Sequence, residues 1–400
     1  FTEDIETIGS SAFTGCVGLT AVSTPETLKH LGYAAFSDCT GLQEVVLKEG
    51  LTTMESSVFK GCTGLTKVSL PKTLTAIESY AFSGCSSLTK ITLPNSVEKL
   101  GYCAFQNCTQ LASVNYPVSL STVDSSSSSY GARLFYGCTI LKKIIVPDGV
   151  TSIPDGTFSG SAELKEVTLP DTLIEIGNSA FRYCAGLNEL RLPEHVKSLG
   201  DFAYAQCTGL RTITLNDSLA SIGGYAFDGC AGLTGMDIPG DVSIIGDGAF
   251  SNCVNLSGIT LGKSLQTIGS GFIDGTRVES LIVPQTVTEM SYSLRNAKNV
   301  REVVFEQGVD RISSYALAPY YSNETSPIRS VTVPDSVREI GYQAFEGFEG
   351  VLHFEKEDSI LPVYAIDHEI KYTAKSTGIA DKPDRNLLRE KTSYYTSLNT

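Results

Sequence analysis

The sequence predicts a mostly β solenoid of the α/β type, about fifteen coils of which each carries one short parallel strand. Three observations lead there. An aromatic recurs at a fixed period, a cysteine follows it at a fixed offset, and a run Leu-x-x-Val-x-Leu-Pro closes the unit. Residues 73–93, TLTAIESYAFSGCSSLTKITL, show the unit whole: Ile77, Phe82, Cys85, Leu88, Ile91 and Leu93, with Pro94 behind them. Leu100, Phe105, Cys108, Leu111, Val114 and Tyr116 repeat those offsets 23 residues later.

The aromatic works as a ruler: Phe13, Phe36, Phe59, Phe82, Phe105, Phe135, Phe158, Phe181, Tyr204, Phe227 and Phe250. Nine of the ten intervals are 23 residues, and the tenth, Phe105 to Phe135, holds seven more. The stretch DSSSSSYG at 124–131 accounts for them and reads as an inserted loop. Weaker copies follow around Ile273, Leu294, Leu317 and Phe345, and those from 273 to 305 are each about one residue short, which should disturb stacking locally.

Within a copy, Leu65, Val68 and Leu70 end in period-two alternation before Pro71, the mark of a short strand that proline stops. Glycine often follows the Ile-type position (Gly32, Gly101, Gly177, Gly223, Gly246), where a turn through positive φ is expected. The AFxxC segment should form one helical or 3-10 turn that drives Phe and Cys inward. A unit this short cannot bury its own apolar side, so coils must stack at about 4.8 Å, giving a rod or arc roughly 70 Å long. Residues several repeats apart are then far apart in space.

The pattern IxxxAFxxCxxLxxVxLPxxL, carried by a dozen copies over about residues 5–354, resembles the BspA-type leucine-rich repeat of bacterial and some protist surface proteins. The resemblance implies a right-handed leucine-rich repeat solenoid, a place at the cell surface or in the secreted fraction, and binding to proteins or glycans, host components among them. It brings no catalytic residue and no cofactor. Residues 1–354 are read as the solenoid; 355–372, where SILPVYAIDHEIKY breaks the period, as a C-terminal cap; and 373–400 as a polar tail or linker with a short helix candidate at 384–391. A second insertion falls at 318–327, APYYSNETSP. The chain opens in mid-repeat, so more sequence, including any export signal, is expected upstream.

Composition narrows the function. With 44 acidic and 30 basic side chains, a net charge of -14 and no Lys/Arg block, nucleic acid and anionic membrane are poor partners. No apolar run approaches the roughly 18 residues that span a bilayer.

Ten of eleven cysteines share one column: Cys16, Cys39, Cys62, Cys85, Cys108, Cys138, Cys184, Cys207, Cys230 and Cys253. Stacking points them all one way, whereas a metal needs ligands that converge and a disulfide needs a dihedral that parallel side chains fit poorly. A buried thiol ladder is expected, with Ser161 and Thr276 in the same column implying that small size is what the site demands. Cys103 stands off the column and is expected to be accessible. Unpaired thiols in an exported protein are reconciled by burial or by an anaerobic habitat. His30, His195, His353 and His368 lie in different coils and assemble no triad; His353 and His368 are both near the C-terminal cap. Sequons at Asn107, Asn216, Asn255 and Asn323 bear on function only in a eukaryotic source.

Binding is expected on the strand face, whose outward residues form columns. One reads Lys67, Lys90, Ser113, Lys143, Glu166, Glu189, passing from positive to negative, with Arg191 beside the acidic end, a pattern that marks either a partner site or an ordinary solvated face. Tyr33, Tyr80, Tyr102, Tyr225, Tyr292, Tyr315 and Tyr342 mark another edge, suited to hydrogen-bonding recognition unless each ring only covers its neighbour's backbone. Tyr320 and Tyr321 in the second insertion are further contact candidates. The reading is a non-enzymatic binding or adhesion protein. The alternative is a structural spacer or stalk that displays another domain away from the envelope.

Overall fold

A computed structural model describes residues 1, 3–124, 132–319, 325–355, 360–374 and 378–380. The chain is a parallel-strand β-solenoid of about fifteen turns with a period near 23 residues. It divides into two compact units, Phe1–Leu233 and Thr234–Thr400.

In the first unit, strands from successive coils pair in parallel one repeat apart, as they must when every coil returns in the same direction. Val22, Val45 and Val68 stand in register across Ala21–Ser23, Glu44–Val46 and Lys67–Ser69. Lys143–Ile145 pairs with Glu166–Thr168, and Glu189–Arg191 with Thr212–Thr214. Each coil also carries a second strand, which the sequence reading does not anticipate. Thr7–Ile8, His30–Leu31, Thr53–Met54, Ala76–Ile77, Lys99–Leu100 and Thr122–Val123 form one six-stranded parallel sheet at the Ile-type position. Two residues are too few for alternation to show in a sequence.

The aromatic ruler becomes a continuous stack. Phe82 and Phe105 lie 5.5 Å apart at 5°, and Phe105 and Phe135 lie 5.6 Å apart at 12°, so seven additional residues leave the core register intact. The insertion itself, at 125–131, is outside the described residues.

The AFxxC segment is not a free-standing helical turn. Its amides alternate: Ala81 N–H donates back to Glu78 O inside the coil, while Tyr80, Phe82 and Gly84 N–H donate to the carbonyls of Tyr102, Ala104 and Gln106 in the next. This alternation needs two left-handed residues per coil. One lies three positions after the Ile-type residue (Tyr80 φ 60°, Tyr225 φ 55°) and one lies two after the aromatic (Gly84 φ 77°, Asn107 φ 57°). The glycines after the Ile-type position are therefore not turn glycines, since none of the five has positive φ. They permit close approach: a Cβ on Gly32 would sit 2.7 Å from Ser10 N, and one on Gly101 2.1 Å from Ser79 N.

In the second unit, Gly235–Asp237 pairs with Gly258–Thr260 and Ile244–Ile245 with Thr267–Ile268. The shortened coils then change the balance between the two strand rows. At Glu289 the second row shrinks to a single bridge with Thr267, while the first lengthens to the four-residue strands Ser280–Val283 and Glu302–Phe305. Ser330–Thr332, Val351–Phe354 and Lys371–Ala374 continue that sheet in parallel, and Gly378–Ala380 adds an antiparallel strand. Between the last two parallel strands lies the helix Ile360–Asp367, which buries Leu361, Ala365 and Ile366. The helix candidate at 384–391 falls outside the described residues, among which no helix is long and apolar enough to cross a membrane.

Candidate functional site

The thiol column comes first because it is the densest set of reactive groups. Cys39 to Cys253 are buried and no disulfide joins any of the described cysteines, with Cys16 the exposed member. Size alone does not explain the column. The Cys62 thiol donates to Phe36 O at 3.1 Å, Cys85 to Phe59 O at 3.2 Å and Cys108 to Phe82 O at 3.2 Å, each reaching into the preceding coil. Burial pushes the Cys62 and Cys138 thiols up to about 12, and those of Cys85, Cys108 and Cys207 well above their ordinary value. Protonated and enclosed, they are hydrogen-bond donors rather than nucleophiles or ligands.

Cys103 is only 1% exposed, which corrects the expectation that it is accessible. Its backbone is left-handed (φ 55°), its thiol is enclosed, and burial raises its pKa. Of the histidines near the C-terminus, His353 Nδ1 contacts Thr373 Oγ1 at 2.6 Å, and His368 Nδ1 contacts Tyr364 O at 2.9 Å. Among the described residues no group of three or more His, Cys, Asp or Glu is placed to hold a metal.

The strand face carries the other candidates. Lys67, Lys90, Lys143, Glu166, Glu189 and Arg191 all point to solvent. The lysine end is less positive than its column suggests. Lys67 pairs with Glu44 at 2.5 Å, and Lys143 pairs with Glu166, its directly opposed residue on the next strand. Cross-strand pairing cancels charge that a column of single side chains counts as free.

The acidic end converges. Glu166, Glu189 and Arg191 line a single depression of about 1430 Å³ in the first unit, floored by Glu166–Thr168, Glu189–Arg191 and Thr212–Thr214. Lys67, Lys90 and Lys143 are not in its lining. Its rim adds Asp171, Glu194 and Asp217, exposed carboxylates just past each strand. The sequence reading misses these three although they stand 23 residues apart and continue a column from Asp148. The period was the signal that could have found them. Asn216 also lines the depression and ties its rim together, donating through Nδ2 to the carbonyls of Pro193 and Val196, the latter at 3.0 Å. The sequon at Asn216 thus has its amide engaged within the fold.

The tyrosine edge is built ring on ring. Tyr80 meets Tyr102 at 5.5 Å and 84°, and Tyr292 stacks on Tyr315 at 4.6 Å and 13°. Phe202, not expected there, stacks on Tyr225 at 5.0 Å, with the Arg182 guanidinium 4.8 Å from its ring centre. Tyr320 and Tyr321 lie outside the described residues.

Comparison with known proteins fits this architecture. The model for the BspA type Leucine rich repeat region (6 copies) matches residues 6–131, 128–243 and 220–352. No curated protein is significantly similar. Among solved structures, a leucine-rich repeat protein from Bacteroides ovatus is 25% identical, covering 93% of this chain and 88% of its own, with a TM-score of 0.65. The T. pallidum Leucine Rich Repeat protein is 29% identical over 42% of this chain and 78% of its own, TM-score 0.37. A leucine rich cell surface protein from Faecalibacterium prausnitzii is 22% identical over 88% and 84%, TM-score 0.37. With the model spanning nearly all of the repeats, the chain belongs to the BspA-type leucine-rich repeat family.

Proposed function

We propose that this chain is a non-enzymatic binding scaffold, at the cell surface or secreted, that recognises a protein or glycan partner through its strand face. The observation carrying this is the depression over Glu166–Thr168, Glu189–Arg191 and Thr212–Thr214. Five carboxylates against two cations, Lys165 and Arg191, line a concavity whose floor is held rigid by parallel pairing. A partner presenting cationic groups is steered to such a surface, and the association weakens as salt rises.

The helix Ile360–Asp367 and the strand Lys371–Ala374 are proposed to cap the repeats. Their support is the burial of Leu361 and Ala365 and the contact of Tyr364 with Phe345, an aromatic of the last repeat, at 5.6 Å between ring centres.

The test is a screen of the immobilised chain against protein and glycan panels, repeated with Glu189, Glu194 and Asp217 changed together to Lys. Retention of the captured partner should fall at least about tenfold, with thermal stability unchanged because all three are exposed. Equal retention by both proteins removes the strand face from the reading.

A further inference from the structure

We propose that the tyrosine edge of the second unit is a separate binding site, and that its ligand is a neutral oligosaccharide. This goes beyond the strand-face reading and does not depend on it. Tyr292 and Tyr315 stack at 4.6 Å, and Tyr315 meets Tyr342 at 5.5 Å and 83°, so three consecutive coils present three rings in a row. Tyr342 is 68% exposed. The row leads into a cavity of about 470 Å³ lined by Tyr342, Gln343, Glu346, Phe348, Tyr364 and His368 among others. That volume falls in the small-molecule range of about 300–1,000 Å³.

The chemistry selects the ligand. A pyranose has an apolar C–H face and a rim of hydroxyls, and a phenol offers the matching pair, a flat apolar face with a donor and acceptor at its tip. The exposed Tyr342 ring gives one sugar its platform, and the phenol edges of the stacked Tyr292 and Tyr315 continue the row for its neighbours. Gln343 and Glu346 add hydrogen-bonding groups, and the His368 ring is fixed by stacking on Tyr364 at 4.0 Å. No Lys or Arg is among the lining residues, so sulfated or carboxylated sugars find no counter-ion there.

Tyr292 (φ 54°) and Tyr315 (φ 57°) are left-handed, a conformation that the coil also imposes on Tyr80 and Tyr225.

The full chain is titrated calorimetrically with glucose, maltohexaose, cellohexaose and chitohexaose, followed by an array of neutral glycans, with heparin as the anionic comparison. A neutral oligosaccharide should bind more tightly than its monomer. Tyr342→Ala should weaken it about tenfold, the value of one lost ring contact. Tyr315→Ala should weaken it further. Because Tyr315 is packed between two rings, Tyr342→Ala, checked for an unchanged Tm, is the deciding variant. The strand-face variant at Glu189, Glu194 and Asp217 should bind the sugar as wild type does, which separates this site from the first. Absence of binding to every neutral glycan, binding to heparin alone, or an affinity indifferent to Tyr342→Ala overturns the proposal.

Discussion

The coils of Cys85 and Ser161 share a unit, a period and an aromatic stack, yet they differ in how one column position is satisfied. Cys85 donates to Phe59 O at 3.2 Å across the coil boundary. Ser161, equally buried, leaves its hydroxyl without a hydrogen-bond partner among the described residues. The C–O bond is shorter than the C–S bond, so the hydroxyl stops short of the neighbouring carbonyl. In the second unit Thr276 finds a third solution, turning its hydroxyl back to Ile273 O in its own coil at 2.8 Å. The column therefore selects a donor of the right length as well as a small side chain.

Alkali should break the arrangement most completely. Cys62 and Cys138 titrate near 12 in the folded chain against an ordinary value of 9.0. The folded state keeps protons that the unfolded state has already released, so this contribution is whole below about pH 9 and is lost as pH rises from there through about 12. A series of melts should show Tm level up to about pH 9 and falling steeply above it. Replacing Cys62 and Cys138 with Ala should flatten the fall. A Tm that holds across that window would contradict the protonated ladder.

Removing the ring beneath a thiol comes next. Phe82 is fully buried between Phe59 and Phe105, at 5.6 and 5.5 Å, and its carbonyl accepts from Cys108. Phe82→Ala should cost about 3–5 kcal/mol in denaturant unfolding. Contacts in a solenoid are nearest-neighbour, so amide exchange should rise first in the flanking coils.

How much of this was legible in the sequence depended on period. The Phe and Cys columns are legible because ten of eleven aromatics are followed by a cysteine at one fixed offset, which leaves one stacking register, and Phe82 over Phe105 is its direct consequence. The role of Gly32 and Gly101 was not legible, since a glycine required for close approach looks the same as one required for positive φ. Cys103 differs for a related reason: the same left-handed position leaves Tyr80 and Tyr225 half-buried and encloses Cys103, and no one-dimensional pattern marks which way the side chain turns. The Asp171, Glu194 and Asp217 column is periodic, but it lies past the strand, beyond the alternation that marks the strand face. Pairing of Lys143 with Glu166 needed the coil-to-coil register, which became concrete only with the strands in place.

Two substitutions sharpen the column comparison directly. Ser161→Cys supplies a donor long enough to reach the preceding coil and should raise stability by about 1–3 kcal/mol, the cost of a buried unsatisfied hydroxyl. Cys85→Ser should lower it by a similar amount. Tyr204 offers the same test within the aromatic stack. It is fully buried, parallel to Phe181 and Phe227, and its hydroxyl has no hydrogen-bond partner among the described residues. Tyr204→Phe should therefore stabilise the chain. If Ser161→Cys and Tyr204→Phe both leave the unfolding midpoint where it was, donor satisfaction is not what shapes the core.

The smallest expected effect lies on the surface and links stability to binding. Lys143 and Glu166 face each other across adjacent strands, both exposed, so their attraction is screened by solvent and its loss should register as no more than about 0.2–1 kcal/mol. Lys143→Ala should consequently leave Tm almost unmoved. Glu166, however, also lines the depression, and without its lysine it adds an uncompensated negative charge there. A cationic partner held on the strand face should then bind faster at low salt, with the difference from wild type closing as ionic strength rises. An altered Tm with unaltered association would place the Lys143–Glu166 pair in the scaffold alone, whereas the reverse pattern ties the acidic depression to the partner.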